Sequence, residues 1–212
     1  GRAKCWRQGA ECGADGAGCR AAGRGSMPEG TLFFVPRWRA GLALGAPRRL
    51  GPWLAERGSL TARIRAHCRE FAVRRLFEGW GYPYPDEAIA LNVPIRARVR
   101  VREVALLADG APVVFARSLA TRQGLRYPWR LLQRIGNRPL GAALFTDPTV
   151  HRGTVQTVRL DARDPRYHRA SALWREVPPG LWARRSLFWR AGAPLLVSEV
   201  FLPPIDFLMA PT

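Results

Sequence analysis

One carboxylate interrupts an otherwise apolar strand near the end of the sequence. The segment LWARRSLFWRAGAPLLVSEVFLP (residues 181–203) has the composition of two β-strands joined by a tight, glycine-containing turn. In the second strand, Glu199 shares one face with Leu195, Val197 and Phe201. A buried, unpaired carboxylate is unstable, so Glu199 either forms a structural ion pair with a strand arginine or faces a ligand cavity. The sequence leaves both alternatives open.

Three arginines on neighbouring predicted strands could supply the matching positive charge. Arg184 and Arg185 are adjacent in the strand that precedes Glu199, so their side chains point to opposite faces and one of them can point inward. In VRVREVALL, Arg102 is followed on its own face by apolar side chains, and we expect it to turn toward the core. An inward arginine offers a planar fork for a carboxylate. Together with an inward glutamate it defines a pocket for a small acid that carries a hydroxyl at its far side.

Hairpins and short helices are the elements that must position these side chains. Two β-rich runs flank Asp109-Gly110 in residues 97–120, which is a strong hairpin signal, and a second hairpin is predicted at 181–202. Hairpins joined by short turns form an antiparallel sheet, so the sequence predicts an α+β fold with helices covering one face. Further strands are predicted at 70–80 and 149–162, and helical segments within 51–68, 82–92, 128–136 and 139–145.

The charge balance is strongly basic, with 34 Lys and Arg residues against 16 Asp and Glu and a formal net charge of +18. Such a charge is typical of proteins with polyanionic partners. Here 33 of the 34 basic residues are arginine, and they are scattered along the chain rather than gathered in one block. We therefore predict no nucleic-acid partner, although the charge alone would support one. No run of 18 apolar residues occurs, so no membrane insertion is predicted.

Residues 1–26 are rich in Gly, Ala and Arg and poor in large apolar side chains. We interpret them as a disordered N-terminal extension, or as upstream sequence that is not part of the native protein, and the folded domain is predicted to span 27–212. Three of the four cysteines lie in this extension without a CxxC pair, which argues against a zinc site. The remaining one, Cys68, fits a reducing cytosol.

Four motifs in this order resemble the chorismate lyase (chorismate–pyruvate lyase) family. They are WLAERGSLT (53–61), VREVALLADGAPVVFARS (101–118), IGNRPLGAALF (135–145) and the C-terminal segment quoted above. The last motif is long and specific, which makes chance agreement a poor explanation. The segment 163–179 has no close counterpart in the shorter members of the family.

The resemblance implies a cofactor-free enzyme that converts chorismate to 4-hydroxybenzoate and pyruvate, the first committed step toward the ubiquinone ring. It implies a six-stranded antiparallel sheet with helices on one face and two helical flaps over a buried ligand. By position, Arg102 would bind the ring carboxylate together with backbone groups of Leu60 and Leu140. Glu199 would form a hydrogen bond to the ring hydroxyl at the opposite end.

The same motif contains Arg184 and Arg185, one of which we assign to the second, enolpyruvyl carboxylate. The resemblance implies a monomeric, cytoplasmic enzyme that needs no metal. A competing hypothesis is a sensor domain of the same fold, which would bind a small acid without chemistry. Such a sensor is expected to carry a winged-helix DNA-binding domain, and the sequence of residues 1–50 has no pattern of one.

Overall fold

One antiparallel sheet organises the part of the chain that the structure describes. The computed structural model describes residues 34–41, 45–133, 135–136 and 138–209, so the predicted extension at 1–26 lies outside the described residues. Across the sheet the strand order is β1-β6-β7-β8-β4-β3-β2, and β5 also pairs with β7. The strands are β1 (Arg39–Ala40), β2 (Phe71–Gly81), β3 (Val99–Ala108), β4 (Ala111–Ala120), β5 (His151–Arg152), β6 (Gln156–Leu160), β7 (Leu181–Arg190) and β8 (Ala193–Phe201).

The described residues form eight strands, which corrects the expectation of six. Six of them, β2, β3, β4, β6, β7 and β8, have five residues or more, whereas β1 and β5 have two each. The strand predicted at 149–162 is split into β5 and β6, which pair with different parts of β7. Between them the chain leaves the ladder at residues 153–155, where the Gly153 N–H keeps one hydrogen bond to the Leu187 carbonyl at 2.8 Å.

Both predicted hairpins are confirmed, and their turns have the same backbone geometry. Asp109 and Gly110 connect β3 to β4 with φ values of 49° and 80°. Ala191 and Gly192 connect β7 to β8 with φ values of 45° and 75°. Positive φ at both central residues is typical of the type I′ turn, whose twist matches that of the flanking strands. Asp and Gly adopt this conformation readily, but alanine does not.

Replacing Ala191 by Gly is expected to stabilise the protein by about 0.5–1 kcal/mol, because glycine adopts positive φ without the steric cost of a Cβ atom. The gain is limited by the greater entropy of glycine in the unfolded chain. Urea unfolding monitored by circular dichroism would measure the change. Ala111→Gly, in the first residue of β4, is the matched control and should lower stability. A loss of stability in Ala191→Gly would show that the turn does not strain Ala191.

In the described part of the chain, six short helices and two 3₁₀ segments connect the strands. Ser59 caps α2 (Leu60–Ala66), since its side chain accepts a hydrogen bond from the Ala62 N–H at 3.2 Å. No helix among the described residues is long and apolar enough to cross a membrane. The helices are α1 (Gly51–Ala55), α2 (Leu60–Ala66), α3 (Pro85–Leu91), α4 (Arg122–Arg126), α5 (Leu140–Thr146) and α6 (Pro165–Ser171), and the 3₁₀ segments are Arg130–Gln133 and Pro203–Met209.

Helices cover both faces of the sheet, which corrects the expectation of one covered face. We call the face that carries Arg102 and Glu199 the cavity face, and the opposite one the rear face. On the cavity face, Trp53 of α1 and Ile64 of α2 pack in one buried cluster with Leu106. On the rear face, α3 and α6 pack against the sheet: Leu91 belongs to one buried cluster with Val101 and Leu196, and Ala170 to another with Val200.

Buried charges attach α3 and α6 to the rear face. Arg166 is 1% exposed and donates to Asp86 at 2.8 and 2.9 Å and to Asp164 at 2.8 and 2.9 Å. Burial alone would lower the pKa of Arg166, but the two carboxylates raise it above its ordinary value. Four acidic and four basic side chains form this rear network, namely Asp86, Glu87, Glu103, Asp164, Arg117, Arg166, Arg169 and Arg185.

The rear network attaches the segment 163–179 to the sheet. No helix was predicted in this segment, yet α6 lies within it and supplies Arg166 and Arg169. Arg169 forms an ion pair with Glu103 of β3. A polar stretch is thus partly buried because its charges are neutralised by partners on the sheet and on α3.

Candidate functional site

A cavity lies between the cavity face of the sheet and two helices, α2 and α5, which we call the flap helices. The sheet supplies most of the polar wall, and the flap helices supply a mainly apolar cover. The two flap helices meet at Gly141, where an added Cβ would lie 2.8 Å from the Ser59 hydroxyl oxygen. Residues that line the cavity include Leu60, Thr61, Leu140, Leu144 and Phe145 from the flap helices and Arg102, Arg184, Ser186, Phe188, Val197 and Glu199 from the sheet.

Arg102 turns inward as predicted and is 5% exposed. Its Nη2 donates to the carbonyl oxygens of Gly136 and Arg138 at 2.9 and 3.0 Å. Burial lowers the pKa of Arg102, and nearby Glu78 partly opposes this effect. Arg102 forms no ion pair with any other described residue, and its buried Nε has no acceptor among them. It is therefore a fixed, unneutralised guanidinium group that can receive an anion.

The flap helices begin at the cavity, which brings two backbone N–H groups to it. Leu60 is the first residue of α2 and Leu140 the first residue of α5, and both line the cavity. The first N–H groups of a helix have no acceptor within that helix. Leu60 and Leu140 can therefore donate to a ligand through the backbone, as the family resemblance implies.

Glu199 lines the cavity and is also ion-paired, so both alternatives left by the sequence apply. Its Oε2 accepts a hydrogen bond from Arg184 Nε at 2.6 Å, and the two residues are direct partners in the β7–β8 ladder. Arg184 also donates from Nη1 to the carbonyl oxygens of Trp53 and Glu56 at 2.9 and 2.7 Å. No described residue donates to Glu199 Oε1, and the side chain is 15% exposed. One carboxylate oxygen thus remains available to a ligand.

Arg185 lies on the rear face, which corrects its assignment to the site. Its Nη1 donates to Asp86 Oδ2 at 2.9 Å and its Nε to Gln156 Oε1 at 2.8 Å. Burial lowers the pKa of Arg185 to about 10, and Asp86 opposes this shift. Adjacent strand residues point to opposite faces, so only Arg184 of the pair reaches the cavity.

Arg152 lines the cavity and was missed by the sequence reading. Its Nε donates to the Ser186 hydroxyl at 3.0 Å, and its Nη1 to the Arg57 carbonyl at 2.6 Å. Burial, together with the neighbouring positive charge of Arg184, lowers the pKa of Arg152 to about 10. Alternation could not assign its face, because the predicted strand is interrupted immediately after it at Gly153.

Among residues 34–41, 45–133, 135–136 and 138–209, no group of three or more His, Cys, Asp or Glu side chains could hold a metal ion. The acidic side chains close to the cavity are already paired, Glu199 with Arg184 and Glu56 with Arg63. What the cavity offers a ligand is therefore guanidinium groups, backbone N–H groups and one carboxylate oxygen.

Comparison with known proteins gives consistent matches over this region. The model of the family described as chorismate lyase matches residues 38–208. A protein named probable chorismate pyruvate-lyase from Aromatoleum aromaticum (strain DSM 19018 / LMG 30748 / EbN1) is 54% identical over 161 residues, which cover 75% of this chain and 87% of that protein. A protein of the same name from Azoarcus sp. (strain BH72) is 50% identical over 172 residues, which cover 79% and 91% of the two chains.

Solved structures give a more distant likeness. The effector domain of PhnF from Mycobacterium smegmatis has a TM-score of 0.49 at 18% sequence identity, over 69% of this chain and 89% of that one. The C-terminal domain of the histidine utilization repressor from Pseudomonas syringae pv. tomato str. DC3000 has a TM-score of 0.47 at 12% identity, over 63% and 92% of the two chains.

Proposed function

This chain belongs to the chorismate lyase family, and from that premise we propose that it eliminates pyruvate from chorismate and releases 4-hydroxybenzoate. One observation carries the proposal, namely that Arg102 and Glu199 line the same cavity beneath the flap helices. Chorismate has a ring carboxylate and, across the ring, a hydroxyl group. A guanidinium group and a carboxylate on the walls of one cavity suit these two groups.

Binding would fix the ring at both ends. The ring carboxylate accepts hydrogen bonds from Arg102 and from the backbone N–H groups of Leu60 and Leu140. The ring hydroxyl donates to the Oε1 of Glu199, whose other oxygen is held by Arg184 at 2.6 Å. Such a substrate is held in one conformer, away from bulk water, which lowers the barrier through positioning.

The reaction is an elimination driven by aromatisation of the ring. The ether bond between the ring and the enolpyruvyl oxygen breaks, and the ring loses the proton of its hydroxyl-bearing carbon. The departing group takes up a proton and tautomerises to pyruvate, so that atoms and charge balance. The ring proton either passes to Glu199 as a general base or transfers directly to the departing enolpyruvyl group.

The wider role follows from the same proposal. The proposed elimination is redox-neutral and is driven by aromatisation, so it requires no electron-carrying cofactor. We assign the reaction to the first step of ubiquinone biosynthesis in the cytoplasm, with chorismate as substrate and 4-hydroxybenzoate as product.

A direct assay tests the proposal. Purified protein is mixed with chorismate, and 4-hydroxybenzoate is followed by absorbance while pyruvate is followed by reduction with lactate dehydrogenase. Equal amounts of the two products, with turnover strongly reduced in Arg102→Ala and unchanged in the exposed control Arg159→Ala, would support the lyase. Absence of turnover while 4-hydroxybenzoate still binds would overturn it and favour the non-catalytic sensor.

A Gly141→Val substitution is expected to weaken 4-hydroxybenzoate binding about tenfold or more and to relieve product inhibition. A closed cavity retains its product, so the opening of the flap helices limits release. A side chain at this position would collide with Ser59 and Thr61 and hold the flap helices apart. Initial rates with added 4-hydroxybenzoate would measure the effect. Ala142→Val, on the exposed side of α5, is the control, and equal inhibition of both variants would contradict the expectation.

A further inference from the structure

The cavity carries two more positive charges than negative ones. Arg102, Arg152, Arg184 and Glu199 line it, which gives three guanidinium groups and one carboxylate. Glu199 is matched by Arg184 through the contact between Oε2 and Nε at 2.6 Å. Neither Arg102 nor Arg152 forms an ion pair with another described residue. Two unmatched guanidinium groups in a largely buried site favour a ligand with two negative charges.

Arg152 is held in place by neutral groups only. Ser186 accepts from its Nε at 3.0 Å, and the Arg57 carbonyl accepts from its Nη1 at 2.6 Å. Its Cζ lies 5.4 Å from the centre of the Phe188 ring and 5.5 Å from that of Phe145. These contacts orient the guanidinium group without neutralising its charge, and a pKa of about 10 leaves it protonated at neutral pH.

Carboxylates near Arg152 are already engaged by other arginines. Glu56 pairs with Arg63 at 2.8 Å, and Glu199 pairs with Arg184. The Nη2 of Arg152 donates to no acceptor among the described residues. Arg152 therefore has both an uncompensated charge and donor capacity to spare, whereas the charge of Arg184 is already matched.

We propose that Arg152, oriented by Ser186, binds the enolpyruvyl carboxylate of the substrate. The inference rests on the proposed function and transfers this role from Arg184 and Arg185 to a residue outside the C-terminal motif. It adds a second anion subsite to the one at Arg102.

The arrangement of the strands agrees with the shape of the substrate. Ser186 lies two residues from Arg184 on the same face of β7, so Arg152 is close to the ion pair that contains Glu199. In chorismate, the hydroxyl and the enolpyruvyl ether are on adjacent ring carbons, and the ring carboxylate is on the far side. Arg102 lies on β3, three strands from β7, a backbone spacing of roughly 14 Å.

This subsite would distinguish substrate from product. Chorismate presents both carboxylates and engages Arg102 and Arg152 together, whereas 4-hydroxybenzoate has only the ring carboxylate. Once the ether bond breaks, the carboxylate held by Arg152 leaves with pyruvate. Arg152 thus selects for the dianionic substrate and contributes little to retention of the aromatic product.

The test compares two ligands across two substitutions of one residue. In Arg152→Met, the KM for chorismate is expected to rise about 10- to 100-fold, while the Kd for 4-hydroxybenzoate, measured by calorimetry, changes less than about threefold. Arg152→Lys should recover part of the chorismate affinity because it restores the charge. Arg159→Met, an exposed arginine on β6, serves as the control and should leave both constants unchanged.

Two results would overturn the proposal. One is a wild-type KM for chorismate in Arg152→Met, and the other is an equal loss of affinity for both ligands, which would mean that Arg152 only supports the fold. If Arg152→Met does not fold, Ser186→Ala decides, because it releases the guanidinium group without removing its charge. A raised KM with an unchanged Kd for 4-hydroxybenzoate then supports the subsite, and no change rejects it.

Failure of the proposed function would be recognised separately. It would appear as absence of pyruvate formation by the wild-type protein. In that case calorimetric titration of chorismate and 4-hydroxybenzoate still measures the contribution of Arg152. A selective loss of chorismate binding in Arg152→Met would support the second anion subsite even without turnover, and its absence would reject it.

Discussion

Glu199→Gln is expected to lower kcat for chorismate by about 100-fold or more, while the protein stays folded and still binds 4-hydroxybenzoate. Glutamine keeps the size of the side chain but removes the charge that faces Arg184, so the group beside the ring hydroxyl can no longer take up the ring proton as a general base. Stopped-flow or steady-state assays of pyruvate release would measure kcat, with circular dichroism as the check on folding.

The same variant separates the two routes for the ring proton. If Glu199 is the general base, glutamine cannot replace it and kcat falls by the full factor. If the proton passes directly to the enolpyruvyl group, Glu199 is an anchor only, and glutamine should retain more than about a tenth of the wild-type rate. Glu176→Gln, an exposed carboxylate in the segment after α6, is the control and should have wild-type kcat. A wild-type kcat in Glu199→Gln would remove Glu199 from the mechanism.

Arg166→Met is expected to reduce the free energy of unfolding by about 3–5 kcal/mol, the largest stability effect that we predict. Arg166 is 1% exposed and forms ion pairs with both Asp86 and Asp164. Its removal therefore leaves two buried carboxylates without their main partner. Urea unfolding at neutral pH would measure the loss.

The matched control lies three residues away. Arg163→Met breaks an exposed ion pair with Asp161 and should not shift the urea midpoint measurably. Chorismate turnover by the folded fraction of Arg166→Met should stay near that of the wild type, because Arg166 lies on the rear face and does not line the cavity. Equal midpoints for the two variants would mean that the rear network contributes little to stability.

Local patterns in the sequence predicted most of the sheet and the inward orientation of Arg102 and Glu199. Hairpin turns are encoded by adjacent residues such as Asp109 and Gly110, and strand alternation assigns a face to Arg102 and Glu199 from near neighbours alone. The orientation of such residues follows from a period of two, which needs no tertiary information. These predictions were therefore confirmed by the fold.

Features that depend on distant partners were missed. Arg166 is buried because Asp86, 80 residues earlier, neutralises it, and nothing in the local composition of 163–179 indicates this. Arg152 reaches the cavity because strand pairing with β7 is interrupted at Gly153. Pairing resumes in β6 with a different register. Short-range periodicity predicts neither the burial of Arg166 nor the position of Arg152, because both depend on residues far away in the sequence. For the same reason it could not show that helices cover both faces of the sheet.

The hydrogen bonds of Arg184 have a consequence for the order in which the molecule folds. They join β7 to the carbonyls of Trp53 and Glu56, 131 and 128 residues earlier, and Arg152 bonds Arg57 across 95 residues. A hairpin brings together residues that are a few positions apart, whereas these contacts join residues separated by most of the domain. Forming them therefore has the largest cost in chain entropy. We expect the hairpins to form first and α1 to dock last. During synthesis, α1 and α2 emerge early yet cannot cover the cavity until β7 has left the ribosome, so ligand binding begins only after β7 has been made.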